Sequence, residues 1–187
     1  MRILMLGNSF IYYHDLPKLL AAVMGEEVES ITKGGSYLYE RIDEQNELYA
    51  PTMKALKEEK WDYVVLQDNS KGPFLAKSAF MNAAKALCDI IKANGATPVM
   101  YATWAYREGS EKLASVDRSY PQMDKELYEA YHEAAEANGA IVADVGKAFS
   151  ELRNLVNLYE PDDFHPSEVG SIIAAYTIAA ASREHRG

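Results

Sequence analysis

The chain is poor in the features that usually announce a specialised class. One cysteine, Cys88, among 187 residues excludes an internal disulfide framework. It lies in an apolar helical pattern with Ala83, Ala84, Leu87, Ile90 and Ile91, where a small core side chain is the expectation. Nineteen Lys and Arg against 28 Asp and Glu leave a net charge of −9 with no dense basic run. Nucleic acid and anionic membrane surfaces both demand concentrated positive charge, so neither is an expected partner. Long hydrophobic runs are missing too. The apolar start, Arg2 to Leu6, is shorter than a signal-peptide core, and Ile172 to Ala181 is interrupted by Tyr176 and Thr177, well short of a bilayer span. There is no G-x-G-x-x-G and no P-loop Lys-Ser/Thr sequence, so a phosphate cradle has no source. His14-Asp15 together with Asp163 does not form a recognised ligand spacing. No metal or other cofactor is expected, and a cytoplasmic protein acting on small molecules is.

What is present describes one globular domain over residues 1–187. Hydrophobic residues make up 48% of the chain, and a chain of this length buries roughly 70% of its unfolded surface without a metal or disulfide staple. Short apolar or β-branched runs alternate with helical patterns, the signature of a parallel sheet covered on both faces. Strands are expected at Arg2 to Leu6, Val28 to Thr32, Trp61 to Gln67, Thr97 to Thr103 and Ala140 to Val145. The uncharged run Tyr63-Val64-Val65-Leu66 marks a central strand buried on both faces.

Between the strands, Asp15 is expected to cap a helix beginning at Leu16-Pro17 and stopped by Gly25. Phe80, Ala83, Ala84, Leu87 and Ile91 predict a helix ending at Asn94-Gly95. Another runs from about Gln122 to Ala137. Val169, Ile172, Ile173 and Tyr176 predict an apolar stripe on a final helix. Trp104 to Ser119 reads as a polar, irregular functional loop.

Four strand ends carry side chains capable of chemistry. In an open parallel sheet, ligands bind beyond the carboxyl ends of the strands, and the first strand ends there in Gly7-Asn8-Ser9. Near the other end, Asp162-Asp163-Phe164-His165-Pro166 places a carboxylate three residues before an imidazole. A neutral imidazole can take a proton from a serine hydroxyl, and such a carboxylate can hold its tautomer. Pro166 biases His165 toward an extended backbone. Lys33-Gly34-Gly35-Ser36 follows the second strand and can turn backbone N–H groups inward. Leu66-Gln67-Asp68-Asn69-Ser70 follows the third and offers amide side chains. Fixed donors of both kinds are what a developing oxyanion needs.

In this order and over nearly the whole chain, from Gly7 to His165, the blocks resemble those of the SGNH (GDSL-like) hydrolase family, as a divergent branch. Gly7-Asn8-Ser9 stands where the family has Gly-Asp-Ser. Gln67-Asp68-Asn69-Ser70 stands for Gly-x-Asn-Asp, and Asp162 to Pro166 matches Asp-x-x-His-Pro in full. The resemblance implies a three-layer α/β/α sandwich on a mostly parallel five-stranded sheet, flavodoxin-like in type. It implies Ser9 as nucleophile, His165 as base and Asp162 as its orienting carboxylate. It also implies oxyanion donors at the N–H of Ser9, the N–H of Gly35 (with Gly34 the alternative) and the side chain of Asn69. Asn8 can organise its turn by side-chain hydrogen bonding, as Asp would.

Aromatic residues cluster by these blocks, and Tyr supplies 13 of the 20, a ring with a polar tip that suits a sugar or acyl-ester pocket. Tyr37 and Trp104 are expected to border the acyl or alcohol site. The reading is a serine esterase acting on a small ester, an O-acyl (acetyl) group on a carbohydrate; the alternative is a non-catalytic small-ligand-binding domain that keeps the fold.

Overall fold

The computed structural model of the chain describes residues 1–185. Five strands, β1 (Arg2–Gly7), β2 (Glu27–Thr32), β3 (Tyr63–Leu66), β4 (Thr97–Tyr101) and β5 (Ile141–Ala143), form one sheet in the order β2-β1-β3-β4-β5. Every neighbouring pair is parallel. The expected strands therefore all form; β1 and β2 each run one residue further than expected, while β3, β4 and β5 are shorter.

Successive side chains of a strand point to opposite faces, and this sorts the interior into two cores. Leu4, Leu6, Val64, Leu66 and Met100 face the layer containing α3 (Tyr49–Glu58), α5 (Lys77–Ala93) and α7 (Tyr120–Asn138). Ile3, Met5, Tyr63, Val65, Val99 and Tyr101 face the layer of α2 (Leu16–Met24), α8 (Val145–Leu152) and α9 (Glu168–Glu184). The architecture is the α/β/α sandwich. Cys88 is fully buried, and burial pushes its thiol up to about 12, so it packs as a core side chain. β2, at the sheet edge, exposes Glu27, Glu29 and Ser30, charge that discourages further strand pairing.

Chain order reverses between β1 and β3. The crevice outside their carboxyl ends is the switch point at which open α/β sheets bind ligands.

Several expectations are corrected. Asp15 precedes α2 but caps it with no side-chain hydrogen bond, because its backbone is left-handed (φ 53°, ψ 53°). Gly25 ends that helix at φ 70° as expected. The stripe of Val169, Ile172 and Tyr176 faces outward, Tyr176 at 61% exposure. The buried face of α9 is instead Gly170, Ser171, Ala174, Ala175, Ile178, Ala179 and Ser182. Small side chains let α9 approach closely: a Cβ on Gly170 would stand 2.5 Å from the Leu158 carbonyl oxygen. The segment from Trp104 to Ser119 is not open loop, since it buries Trp104, Ala105, Tyr106, Leu113 and Val116 and forms α6 (Glu111–Ala114). Helices α3 and α8, the single turn α4 (Gly72–Leu75) and a 3-10 turn at Leu38–Arg41 lie in segments where the sequence predicts no element.

Candidate active site

β1 delivers the chain to the crevice and Asn8 turns it. The Asn8 side-chain oxygen accepts from the N–H of Phe10 (3.1 Å), while its Nδ2 donates to the carbonyls of Ser36 (3.1 Å) and Asp68 (3.5 Å). This one side chain joins the ends of three strands and starts the single turn α1 (Ser9–Tyr12), whose first residue is Ser9. Gly7 is required just before it. A Cβ there would lie 2.3 Å from Gln67 Oε1 and 2.6 Å from Ile11 Cδ1.

Gln67 and Asn69, the two amides offered by the sequence, have different surroundings. Gln67 is 1% exposed; its Oε1 accepts from the N–H of Asn8 (2.9 Å) and its Nε2 donates to the Asp68 carbonyl. It is a strut beneath the serine turn. Asn69 is partly exposed, and its Nδ2 donates to the Gly35 carbonyl (2.8 Å), so the third-strand end is tied to the glycine turn after β2. Gly35 adopts φ 70°, a region where any side chain is strained.

Two buried charges brace this crevice. Asp68 accepts the N–H of Leu38 at 2.7 Å, and burial raises its carboxyl to about 6 against the opposing hydrogen bonds from Leu38 and Asn69. The Arg41 guanidinium donates to the carbonyls of Gly7 and Ile31, both at 2.8 Å, and to Thr52 Oγ1 at 3.1 Å. Burial lowers its pKa to about 10, so it remains a cation at neutral pH. It stitches the ends of β1 and β2 to α3.

His165 comes from the turn before α9. Its Nε2 lies 2.8 Å from Ser9 Oγ, and its Nδ1 lies 2.6 Å from Asp162 Oδ2. Asp162 Oδ1 also accepts the backbone N–H groups of Phe164 (3.2 Å) and His165 (3.0 Å). Partial burial works against the Asp162 charge, but these hydrogen bonds outweigh it and hold the carboxyl below its ordinary value. An ionised carboxylate only accepts, so Nδ1 carries the imidazole hydrogen and Nε2 is left to accept from the serine hydroxyl. The sequence-selected Ser9, His165 and Asp162 are thus in one hydrogen-bonded line.

The turn is itself held in place. Tyr159 and Pro166 form an antiparallel bridge, and Glu160 N–H donates to the His165 carbonyl at 2.9 Å. Asp163 adopts φ 66°. Arg107 clamps it, donating from its backbone N–H to the Asp163 carbonyl (2.9 Å) and from Nε to the Asp163 carboxylate (2.6 Å). The same guanidinium reaches Asn157 Oδ1 at 2.9 Å. No sequence pattern marks Arg107 or Arg41, because each acts on chain far from it in sequence.

The aromatic expectations divide. Tyr37 is half-buried on the glycine-turn side, its ring stacked on Tyr39 at 5.1 Å. Trp104 does not border a pocket. It is 0% exposed and sandwiched between Phe10 (4.5 Å) and Phe149 (4.0 Å), with its indole N–H on the Phe164 carbonyl (3.0 Å). Its role is support from below. The rings around His165 are Phe10, Tyr13 and Phe164. His14 pairs with Glu160, and among the described residues no group of three His, Cys, Asp or Glu side chains could hold a metal ion. No helix among them is long and apolar enough to cross a membrane.

A parallel α/β/α sheet with a serine, histidine and carboxylate in line at its carboxyl edge is the framework of a hydrolase. No protein-family profile and no curated protein matches the chain. Among solved structures it is similar to a protein from Slackia heliotrinireducens described as an SGNH hydrolase, at 39% identity. The match covers 97% of this chain and 98% of that one with a TM-score of 0.91. An acetylxylan esterase from Geobacillus stearothermophilus shares the fold at 18% identity and a TM-score of 0.70, over 97% of this chain and 93% of that one. The chain belongs to the SGNH hydrolase family, enzymes that act on ester bonds.

Proposed function

We propose that the protein is a serine esterase that removes a small acyl group, acetyl in the simplest case, from a carbohydrate. The observation that carries the mechanism is the hydrogen-bonded line from Ser9 Oγ through His165 to Asp162. In the first half-reaction Ser9 Oγ attacks the ester carbonyl carbon while His165 Nε2 takes its proton. Asp162 holds Nδ1–H and stabilises the imidazolium. The carbonyl oxygen becomes an oxyanion facing the N–H groups of Ser9 and Gly35 and the Asn69 amide. Donors of this kind are each worth about 3 kcal/mol of barrier. Collapse of the tetrahedral intermediate expels the alcohol, which leaves with the proton from His165. A water then repeats the sequence on the acyl-enzyme, releasing the acid and restoring Ser9.

The Asn69–Gly35 hydrogen bond supports the donor assignment, since it ties two of the proposed donors together. Gln67 is unsuited to the role because it is buried beneath the turn, 1% exposed, whereas Asn69 is partly exposed and has a second Nδ2 hydrogen besides the one bonded to Gly35. The acetyl-carbohydrate substrate is supported by the similarity to an acetylxylan esterase fold and by the tyrosines beside the glycine turn.

The test uses p-nitrophenyl acetate, acetylated xylo-oligosaccharides and a fluorophosphonate probe on the wild type, Ser9→Ala and His165→Ala. The wild type is expected to turn over the acetyl esters and to label at Ser9, and both variants to lose at least about a thousandfold in rate. Absence of labelling and turnover in folded wild type, with oligosaccharide still bound, would replace the esterase by a binding domain.

A further inference from the structure

We propose that Tyr13 is a positioning residue for the base, its ring stacked face to face on the His165 imidazole so as to favour the protonated ring that forms when Ser9 gives up its hydrogen. The inference rests on the reading of His165 as the base. The two rings are nearly parallel, 3° apart with centroids at 4.0 Å. Phe10 meets the imidazole edge-on at 5.7 Å and Phe164 tilts against it at 4.0 Å. Of these three rings, Tyr13 alone lays a full face on it.

The backbone holds Tyr13 there under strain. The next two residues, His14 (φ 51°) and Asp15 (φ 53°), are both non-glycine and both left-handed, a conformation that L side chains adopt only at a cost. Two tethers oppose relaxation of the kink. His14 Nε2 lies 2.7 Å from Glu160 Oε1, on the turn that carries His165. From α9, Ser171 Oγ donates to the Tyr13 carbonyl at 3.4 Å. Pro17, in the first turn of α2, prevents α1 from running on into it, and at the break between the two helices Tyr13 lies over the imidazole.

The chemistry follows from the ring's charge distribution. An aromatic face is negative and attracts a cation placed over it. To act as the base the imidazole must be neutral before the transfer, and the attraction is then small. As Nε2 accepts the serine proton, the ring becomes an imidazolium and the attraction grows, which is the selective stabilisation that accelerates a step. The ring also covers one face of the imidazole against water. The other charges near His165 are Asp162 at its Nδ1, the His14–Glu160 pair, the Asp163–Arg107 pair, and Lys112, whose Nζ stands 4.0 Å over the Phe164 ring. Tyr12 lies beyond Tyr13 at 5.8 Å. A change of the Tyr13 side chain alone leaves these groups in place.

The experiment compares Tyr13→Leu, Tyr13→Phe and pentafluorophenylalanine at position 13. The last keeps the ring outline and reverses the charge on its face. Two readouts are taken: the pH profile of kcat/KM for p-nitrophenyl acetate, and the NMR titration of the His165 imidazole. Loss of the negative face disfavours the protonated ring, so Tyr13→Leu and the fluorinated ring should move the acid limb and the imidazole titration to lower pH by about 0.5 to 1 unit. Rate at the plateau should fall roughly three- to tenfold. Tyr13→Phe should track the wild type. A fall in rate with both pH curves unmoved, or a fluorinated variant that behaves like Tyr13→Phe, would overturn the proposal. Because the titration needs no turnover, a wild type without esterase activity would sink the functional reading while the NMR shift still decided whether Tyr13 favours the protonated imidazole.

Discussion

Asp68 provides a sharp test of the physical account of the crevice. Its carboxyl is 1% exposed, and burial raises it from 3.8 to about 6. A carboxyl whose folded value lies above its unfolded one favours the native state while neutral. That contribution is fully present below about pH 3.8 and is lost as the pH rises through about 6. The interval between the two values corresponds to about 3 kcal/mol. At pH 7 to 8 the buried anion therefore costs the fold about that much relative to acid conditions. Asp68→Asn keeps an oxygen able to accept the Leu38 N–H and removes the titration. Whatever the new amide hydrogens cost is independent of pH, so the informative quantity is the change in the mutant–wild type difference with pH. Urea unfolding at steps from pH 4 to pH 8 should show the variant gaining on the wild type as pH rises, by up to about 3 kcal/mol across the range. Esterase activity should stay within a few-fold, since the Leu38 anchor survives. A stability difference that is flat from pH 4 to pH 8 would refute the claim that a desolvated carboxyl sits beneath the third-strand end.

Trp104→Ala should destabilise the protein by about 3 to 5 kcal/mol, as core truncations of this size do, measured by urea or thermal unfolding. A variant of unchanged stability and raised KM would restore Trp104 to the substrate wall. Asp162→Asn should lower kcat by roughly a thousandfold or more through the wrong imidazole tautomer, measured with p-nitrophenyl acetate. Because the folded Asp162 carboxyl is held low, its contribution to stability is present above the ordinary carboxylate range and lost on acidification. The thermal stability gap between Asp162→Asn and wild type should therefore close as the pH is lowered.

How much could be read from the residues depended on the range over which each signal operates. The four strand ends were legible because an apolar run followed by a polar turn is a local pattern. Asp162 and His165 were legible as a pair because three residues separate them and one short turn serves both. The buried face of α9 is not legible in the sequence, for a related reason. Apolar side chains lie on both faces of that helix, and periodicity alone does not say which face a neighbour covers. The decision came from α2, which packs along α9, and from the Leu158 carbonyl, which leaves no room for a side chain at Gly170. An indole beside a catalytic block looks the same in sequence whether it lines a pocket or props up the residues that do, and Trp104, buried between Phe10 and Phe149, does the second.

By itself, then, the sequence determined the alternation of strands and helices, the two-sided burial of Tyr63 to Leu66, and the identities of a serine, a histidine and a carboxylate at the sheet's carboxyl edge. These follow from local hydrophobic spacing and turn chemistry. Only the tertiary structure decided that Ser9 and His165, 156 positions apart, meet at 2.8 Å. It alone decided that Arg41 joins β1 to β2 and that Tyr13 covers the imidazole. Those contacts exist only once the sheet has closed in its order of strands. The energies that hold them, desolvation of a guanidinium, stacking of two rings and a strained pair of residues, are set by neighbours that no local window of the chain contains.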